Sequence, residues 1–365
     1  MKAYITRLAY YLPEIVEENE EIRLRKKTGI ERRHICPDDM TAADMVVFAA
    51  EKIFSDEFPR EAVDFLLYCT QSPDYPLPST ACILQNRLGL PKHCGALDFD
   101  LGCSGYVYGL GLAKGLIESG QAKNVLLLTS ETYTKYIHSE DHAVRPLFGD
   151  AATATIISAI DTDKPGIDGL VYGTDGSGAD KLMVPVGGMR QRYQTTPVTE
   201  TKDKYGNVRT NQNLFMDGGA IMDFALDVVP ETVNQILAKT GLKKEEIDYY
   251  VFHQANKFML KSLQMLCGLT GMPYWNDCAE YGNTVSNSIP IALVDMMKAN
   301  QDTKQDESQD SKQDNKLSKN QDTNQVKTST EGVQKDNSLK NVMLVGFGVG
   351  LSWGGCVIDL REIKD

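Results

Sequence analysis

Three residues combine reactive side chains with positions from which they could act: Cys103 in LDFDLGCSGYVYGLGLAKGL, His253 in DYYVFHQAN and Asn283 in YGNTVSNS. An apolar run leads into Gly102 and Cys103, and a helical pattern rich in small residues starts at Ser104. At such a junction, unpaired N–H groups and the positive end of the helix favour a thiolate, lowering a cysteine pKa from about 8.5 toward 7 or below. The same N–H groups could hold an oxyanion developing on a bound thioester. On its own, GCSG also reads as an inert cysteine before a helix.

His253 closes a short apolar run, and the C-terminal edge of a parallel strand faces the crevice where α/β sheets bind ligands. As a lone histidine it also reads as a satisfied core or edge residue. Asn283 lies between a glycine and a threonine ahead of a further helical pattern. The segment GFGVGLSWGG (346–355) supplies glycines where backbone N–H groups can approach a ligand, or simply a turn between two strands. It is not a dinucleotide fingerprint, because LSWGGCVIDL continues as a strand where that motif needs a helix.

The elements that must hold these residues are legible as short apolar runs rich in β-formers: DFLLYCT (64–70), NVLLLTSE (124–131), TATIISAI (153–160), DYYVFHQ (248–254) and NVMLVGFG (341–348). Helical patterns alternate with them. One is capped by Thr41, and another, GAIMDFALDVVPETVNQILAKTG, stops at Gly241. The alternation predicts an α/β fold with helices covering mostly parallel sheets.

The chain also echoes itself. EAVDFLLYCTQ from Glu61 matches EEIDYYVFHQA from Glu245 in pattern, and KNVLLLTSE from Lys123 matches KNVMLVGFG from Lys340. The first pair is 184 residues apart and the second 217, so the second copy has gained 33 residues. The excess falls in 301–339, where QD recurs at 301, 305, 309, 313 and 321 with almost nothing apolar. Such a stretch cannot bury enough surface to offset its ordering entropy and is expected as a disordered surface insert. The organisation expected is two α/β halves, 1–165 with the cysteine and 166–365 with the histidine and asparagine, the second interrupted by the insert.

Composition narrows the function. A formal charge of −12 argues against nucleic acid. No run approaches the roughly 18 apolar residues of a membrane span, and the opening MKAYITRLAYYLPE has no apolar core of a signal peptide, so a cytoplasmic location is expected. The eight cysteines form no CxxC pair, which points to neither a disulfide framework nor a zinc site; all but Cys103 are expected as core residues.

GCSG, HQAN, YGNT and GFGVGLSWG, in this order, resemble the thiolase-fold condensing enzymes, and specifically the β-ketoacyl-ACP synthase III family. KTGIERRHI, PLPSTACILQNRLGL and LFGDAATA match family segments in order, so everything except about 301–339 is covered. The resemblance implies a layered αβαβα core of two duplicated halves and a homodimer with no metal or organic cofactor. The substrates it implies are an acyl-CoA or acyl-ACP donor and malonyl-ACP, with acyl carrier protein as partner. It makes Cys103 the acylated nucleophile, and His253 and Asn283 the donors to the malonyl thioester carbonyl. The backbone N–H groups of Cys103 and Gly350 become the oxyanion hole. Leu77, Phe148, Leu214 and Met216 become the acyl tunnel, Leu77 reaching across the dimer. The implied reaction is a decarboxylative condensation giving a β-ketoacyl thioester. Type III polyketide synthases share Cys-His-Asn, so that reading stays open. So do an acyltransferase passing the same acyl-cysteine to another acceptor and a silent dimer partner.

The family's adenine clamp of tryptophan and arginine falls here on Arg23 and His142, its pantetheine asparagine on Gly219, and its carrier-gripping arginine on Phe258. Arg23, Arg145, Lys257 and Lys261 are the substitute donor or carrier contacts. These departures imply a specialised paralogue with altered donor recognition.

Overall fold

The computed structural model describes residues 1–19, 22–301 and 339–364, the side chains of 22–24 excepted. The insert expected at 301–339 therefore lies almost wholly outside the described residues, as does the Arg23 side chain.

Two sheets carry the fold. The first contains β1 (Lys2–Tyr11), β2 (Phe65–Cys69), β3 (Gly95–Phe99), β4 (Asn124–Glu131) and β5 (Ala151–Ile160), in the order β1-β5-β4-β2-β3. The second contains β6 (Ile167–Thr174), β7 (Tyr249–Phe252), β8 (Val342–Gly348) and β9 (Ser352–Ile358), in the order β7-β8-β9-β6. Read from the opposite edge, the second order repeats the first, with β6 standing for β1, β9 for β5, β8 for β4 and β7 for β2. An isolated parallel bridge between Tyr250 and Tyr274 occupies the place of β3.

The echo in sequence extends to single hydrogen bonds. Asp64 Oδ2 accepts the N–H groups of Lys123 (2.7 Å) and Asn124 (2.9 Å), and the Asn124 amide donates to Ala62 O. In the second half Asp248 Oδ2 accepts Lys340 and Asn341 N–H, both at 2.8 Å, and the Asn341 amide donates to Glu246 O. The same clasp thus sets the register of the equivalent parallel pairs β2/β4 and β7/β8.

The sheets are more mixed than expected. β2 runs parallel to β3 and β4, but β5 is antiparallel to both β1 and β4, and β9 is antiparallel to β8 and β6. An apolar run marks a strand buried on both faces without encoding its direction, so the sequence could not distinguish the two.

Layering follows from alternation along each strand. Leu66, Tyr68, Leu126 and Leu128 point outward beneath α2 (Ala42–Glu51). Leu67, Val125 and Leu127 point inward to α3 (Gly105–Glu118). On the second sheet Val251, Val342 and Leu344 share that inner layer with a helix over 288–301, while Tyr250, Phe252, Met343 and Val345 face outward to α4 (Gly218–Thr240) and α5 (Lys257–Leu266). The result is five layers, αβαβα. Thr41 caps α2 in a reciprocal box with Asp44, worth about 1 kcal/mol, and Gly241 ends α4 at φ 72°. The glycines of α3 let it sit close between the sheets: a Cβ at Gly109 would lie 2.6 Å from a Leu127 methyl. Among the described residues no helix is long and apolar enough to cross a membrane. All the cysteines but Cys82, which is exposed, are buried.

Candidate active site

Cys103 sits in the turn between β3 and α3, 5% exposed. Gly105 N–H closes the turn on Gly102 O at 2.8 Å. The turn is pressed against β8 from the other half: a Cβ at Gly346 would lie 2.7 Å from Cys103 O, and one at Gly348 would lie 2.9 Å from both Cys103 Cβ and Sγ. Only glycine permits that approach. Ser104 Oγ and Ser352 Oγ, 2.7 Å apart, tie the same two segments together.

His253 continues β7, its N–H donating to Val345 O at 2.9 Å, so the parallel ladder aims its side chain at the end of the sheet. Its ring packs edge-on to Phe347, centroids 5.4 Å apart, and Nδ1 lies 2.7 Å from Ser288 Oγ. Burial depresses the imidazole pKa from 6.5 to about 3, so the ring is neutral.

Asn283 is held by its backbone, donating N–H to Leu147 O at 2.8 Å and accepting Gly149 N–H at 3.1 Å. Its Oδ1 accepts the N–H of Val285 at 2.9 Å, so the polar group left for the cavity is the NH2. Val285 pays for that turn with a left-handed φ of 57°, strained for a β-branched residue and costing on the order of 1–3 kcal/mol.

Cys103, His253 and Asn283 line one cavity of about 440 Å³, with Phe148, Leu182, Met216 and Phe347 among its apolar walls. The exposed residues Lys27, Gly219 and Phe258 also line it and mark its mouth.

The other expected site residues fall in several places. The backbone N–H groups nearest the Cys103 sulfur are its own and that of Val349, and Gly350, the expected second oxyanion donor, follows Val349 in the β8–β9 turn. Phe148 and Met216 line the cavity, Leu214 is buried outside its lining, and Leu77, expected to reach across a dimer, is 85% exposed on the single chain. Arg145 is engaged with Glu17 Oε1 at 2.7 Å and faces a separate cleft. Lys257 lines a neighbouring cleft with Arg25 and Lys26, and Lys261 is exposed on α5 away from both.

Burial opposes the lowering of the Cys103 pKa expected at a helix start. Burial, together with the nearby carboxyl of Glu131, pushes Cys103 up to about 12, outweighing its own N–H and that of Val349. Among the described residues Glu131 has no cationic partner. It accepts Gln71 N–H on both oxygens (3.0 and 3.1 Å), Ser72 Oγ (3.1 Å) and Ser286 Oγ (3.4 Å), and burial raises its pKa well above the carboxylate range.

The sequence reading missed Ser288 and Glu131. Ser288 lies in the quoted NTVSNS run, but a serine there has no pattern that separates it from an ordinary helix-start residue.

Neutral donors on a largely apolar cavity and a buried thiol close to two backbone amides suit thioester chemistry with a developing enolate and oxyanion. The model of 3-oxoacyl-[acyl-carrier-protein (ACP)] synthase III matches residues 97–176, and that of its C-terminal portion matches 237–308. Relatives named β-ketoacyl-[acyl-carrier-protein] synthase III include one from Clostridium perfringens, 32% identical and covering 96% of this chain and 97% of its own. Another, from Lactococcus lactis, is 31% identical over 98% and 99% of the two chains. A crystal structure of a 3-oxoacyl-(acyl-carrier-protein) synthase III superposes with a TM-score of 0.85 at 40% identity, over 98% of this chain and all of the other. One from Burkholderia xenovorans gives 0.80 at 30% identity, over 100% and 95%. The chain belongs to the β-ketoacyl-acyl-carrier-protein synthase III family, with its thiolase fold.

Proposed function

We propose that the protein condenses an acyl group carried on Cys103 with malonyl-ACP, releasing CO2 and giving a β-ketoacyl thioester. The observation that carries this reading is the meeting of Cys103, His253 and Asn283 on one largely apolar cavity.

In the first half-reaction the Cys103 sulfur attacks the donor thioester carbonyl. A new C–S bond forms, the old one breaks, and the thiol proton leaves with the departing thiol. The tetrahedral oxyanion sits against the N–H groups of Cys103 and Gly350. A thiol pushed up to about 12 gives up its proton only as the sulfur attacks, which protects the free enzyme from adventitious alkylation.

In the second half-reaction malonyl-ACP enters with its thioester oxygen toward His253 Nε2 and the Asn283 NH2. Loss of CO2 leaves an enolate whose charge these two neutral donors accept. A neutral imidazole is what the step needs, because it donates a hydrogen bond without supplying a proton to quench the carbanion. The carbon then attacks the acyl-cysteine carbonyl, the C–S bond breaks, and Cys103 recovers a proton from solvent. Neither step calls on a metal or organic cofactor.

The chain divides into halves 1–165 and 166–365 in this reading, each supplying part of the machinery. Acyl carrier protein is its partner, a homodimer its assembly and the cytoplasm its location. Gly219 at the mouth, Phe258 beside it and the exposed His142 offer no amide or planar cation to an adenosine or pantetheine group, which favours a donor other than acetyl-CoA.

Intact-mass measurement after exposure to matched acyl-CoA and acyl-ACP donors tests the first half-reaction, with Cys103→Ala as the blank. CO2 release from malonyl-ACP tests the second. An acyl-enzyme that forms but releases no CO2 would overturn the condensing role in favour of simple acyl transfer.

A further inference from the structure

We propose that Arg33, which lies outside the cavity, is a positioning residue that holds Asn283 in register for enolate stabilisation. The proposal deepens the reading of Asn283 given above and rests on it.

Arg33 belongs to KTGIERRHI and sits on a two-stranded hairpin, Ile15–Glu18 with Arg32–Ile35, directly opposite Glu17. It is 3% exposed. Its Nη1 donates to the carbonyls of Arg145 (2.8 Å) and Phe148 (3.2 Å), and its Nη2 donates to Glu17 Oε2 at 2.8 Å. The other oxygen of Glu17 accepts Arg145 Nη2 at 2.7 Å. The three charges therefore form a closed clamp on both ends of segment 145–148.

That segment is what Asn283 leans on. Asn283 donates N–H to Leu147 O and accepts Gly149 N–H, and Phe148 and Asn283 form an isolated parallel bridge. Gly282, at φ 66°, lies so close that an added Cβ would meet Leu147 O at 2.8 Å and Arg33 Cγ at 2.9 Å. The stem of Arg33 thus touches the Asn283 strand from one side while its guanidinium fixes the strand that pairs with it. Asp150 N–H to His34 O and Glu31 N–H to Ala279 O, both 2.8 Å, lock the hairpin to the same two segments.

A planar fork is required. One guanidinium satisfies two carbonyls and a carboxylate at once, and among the described residues Nε is left buried without a partner, so geometry toward the three acceptors has been favoured over complete pairing. Removing it strips two carbonyls of their donor behind the wall that carries Phe148.

The experiment compares the two half-reactions in the full chain for Arg33→Lys, Arg33→Met, Glu17→Gln, Asn283→Ala and the double variant Arg33→Met/Asn283→Ala. Arg7→Met is the stability control: Arg7 is also a buried cation, stacked 4.8 Å from the Phe58 ring on β1, with no contact to the site. Melting temperatures are recorded for all. The expected result for both Arg33 variants is acyl loading of Cys103 within about twofold of wild type and CO2 release reduced about tenfold or more, with a smaller loss for Glu17→Gln. The double variant should decarboxylate no more slowly than Asn283→Ala alone, because the clamp acts only through Asn283. Arg7→Met should lower the melting temperature while keeping both half-reactions. The proposal is overturned if an Arg33 variant releases CO2 at the wild-type rate while Asn283→Ala does not, if the two losses add, or if loading falls in step with CO2 release. Full decarboxylation by Asn283→Ala itself would remove the underlying reading and the clamp with it.

Discussion

Ser288 Oγ lies 2.7 Å from Nδ1 of His253, and the same oxygen stands 3.4 Å from the N–H of Gln254. For His253 to donate toward the cavity its proton must be on Nε2, and Nδ1 must then accept a hydrogen bond. The Ser288 hydroxyl is the group placed to supply it, so one buried serine selects both ring orientation and tautomer.

Ser288→Ala removes that donor and leaves a buried acceptor unpaired, at a cost of about 1–3 kcal/mol. Acyl loading of Cys103 should be nearly unchanged, while CO2 release from malonyl-ACP should fall roughly 10- to 100-fold. The pair of rates, measured on one preparation, checks it; equal losses in both steps would assign Ser288 to general packing instead.

Burial of neutral His253 makes a pH prediction about stability. Its folded pKa of about 3 lies below the value of 6.5 it takes when exposed, so between these limits the unfolded chain binds the extra proton. Stability from this group is therefore complete above about pH 6.5 and is lost as pH falls toward 3, by a few kcal/mol in order of magnitude. Asp277, raised to about 7, and Asp150, raised to about 6, work the other way over an overlapping range, because burial favours their protonated forms in the fold. They are common to wild type and His253→Gln, so the difference in melting temperature between the two proteins isolates the histidine. That difference should shift against wild type on acidification, and parallel curves would contradict a buried neutral imidazole.

What could be read from the sequence follows a physical division. Cys103, His253 and Asn283 were visible because each ends a strongly patterned element, and a reactive residue at an element's end stands out against apolar periodicity. The duplication was visible because matching apolar runs and the KN pairs Lys123–Asn124 and Lys340–Asn341 repeat in one dimension. Arg33, Ser288 and Glu131 were not, since their partners are 112, 35 and 60 residues away and no local pattern encodes such pairings. The thiol's pKa was misjudged because helix polarity can be read from sequence, whereas desolvation by the opposing half cannot.

The raised Cys103 pKa is open to direct titration. With the sulfur pushed up to about 12, its alkylation by iodoacetamide should climb steadily through pH 7–9 without levelling off. Cys82, the exposed cysteine, should be replaced by serine so that one site is followed by mass. A plateau near neutral pH would mean that the amides of Cys103 and Val349 outweigh burial.

Gly348 offers the most local test of how the halves meet. An added Cβ would fall 2.9 Å from Cys103 Cβ and Sγ, closer than real Cβ atoms come to any neighbour, and Gly348 is held in the ladder opposite Ser352 of β9. The yielding part must be the Cys103 side chain, which is attached to a turn rather than a ladder. Gly348→Ala should therefore fold, with a melting temperature lowered by a few degrees, corresponding to about 1–3 kcal/mol of overpacking. Acylation of Cys103 should drop far more than malonyl decarboxylation, whose donors His253 and Asn283 are not among the atoms nearest the new methyl. Acylation at the wild-type rate would mean that the sulfur reaches the donor carbonyl from a rotamer pointing away from β8.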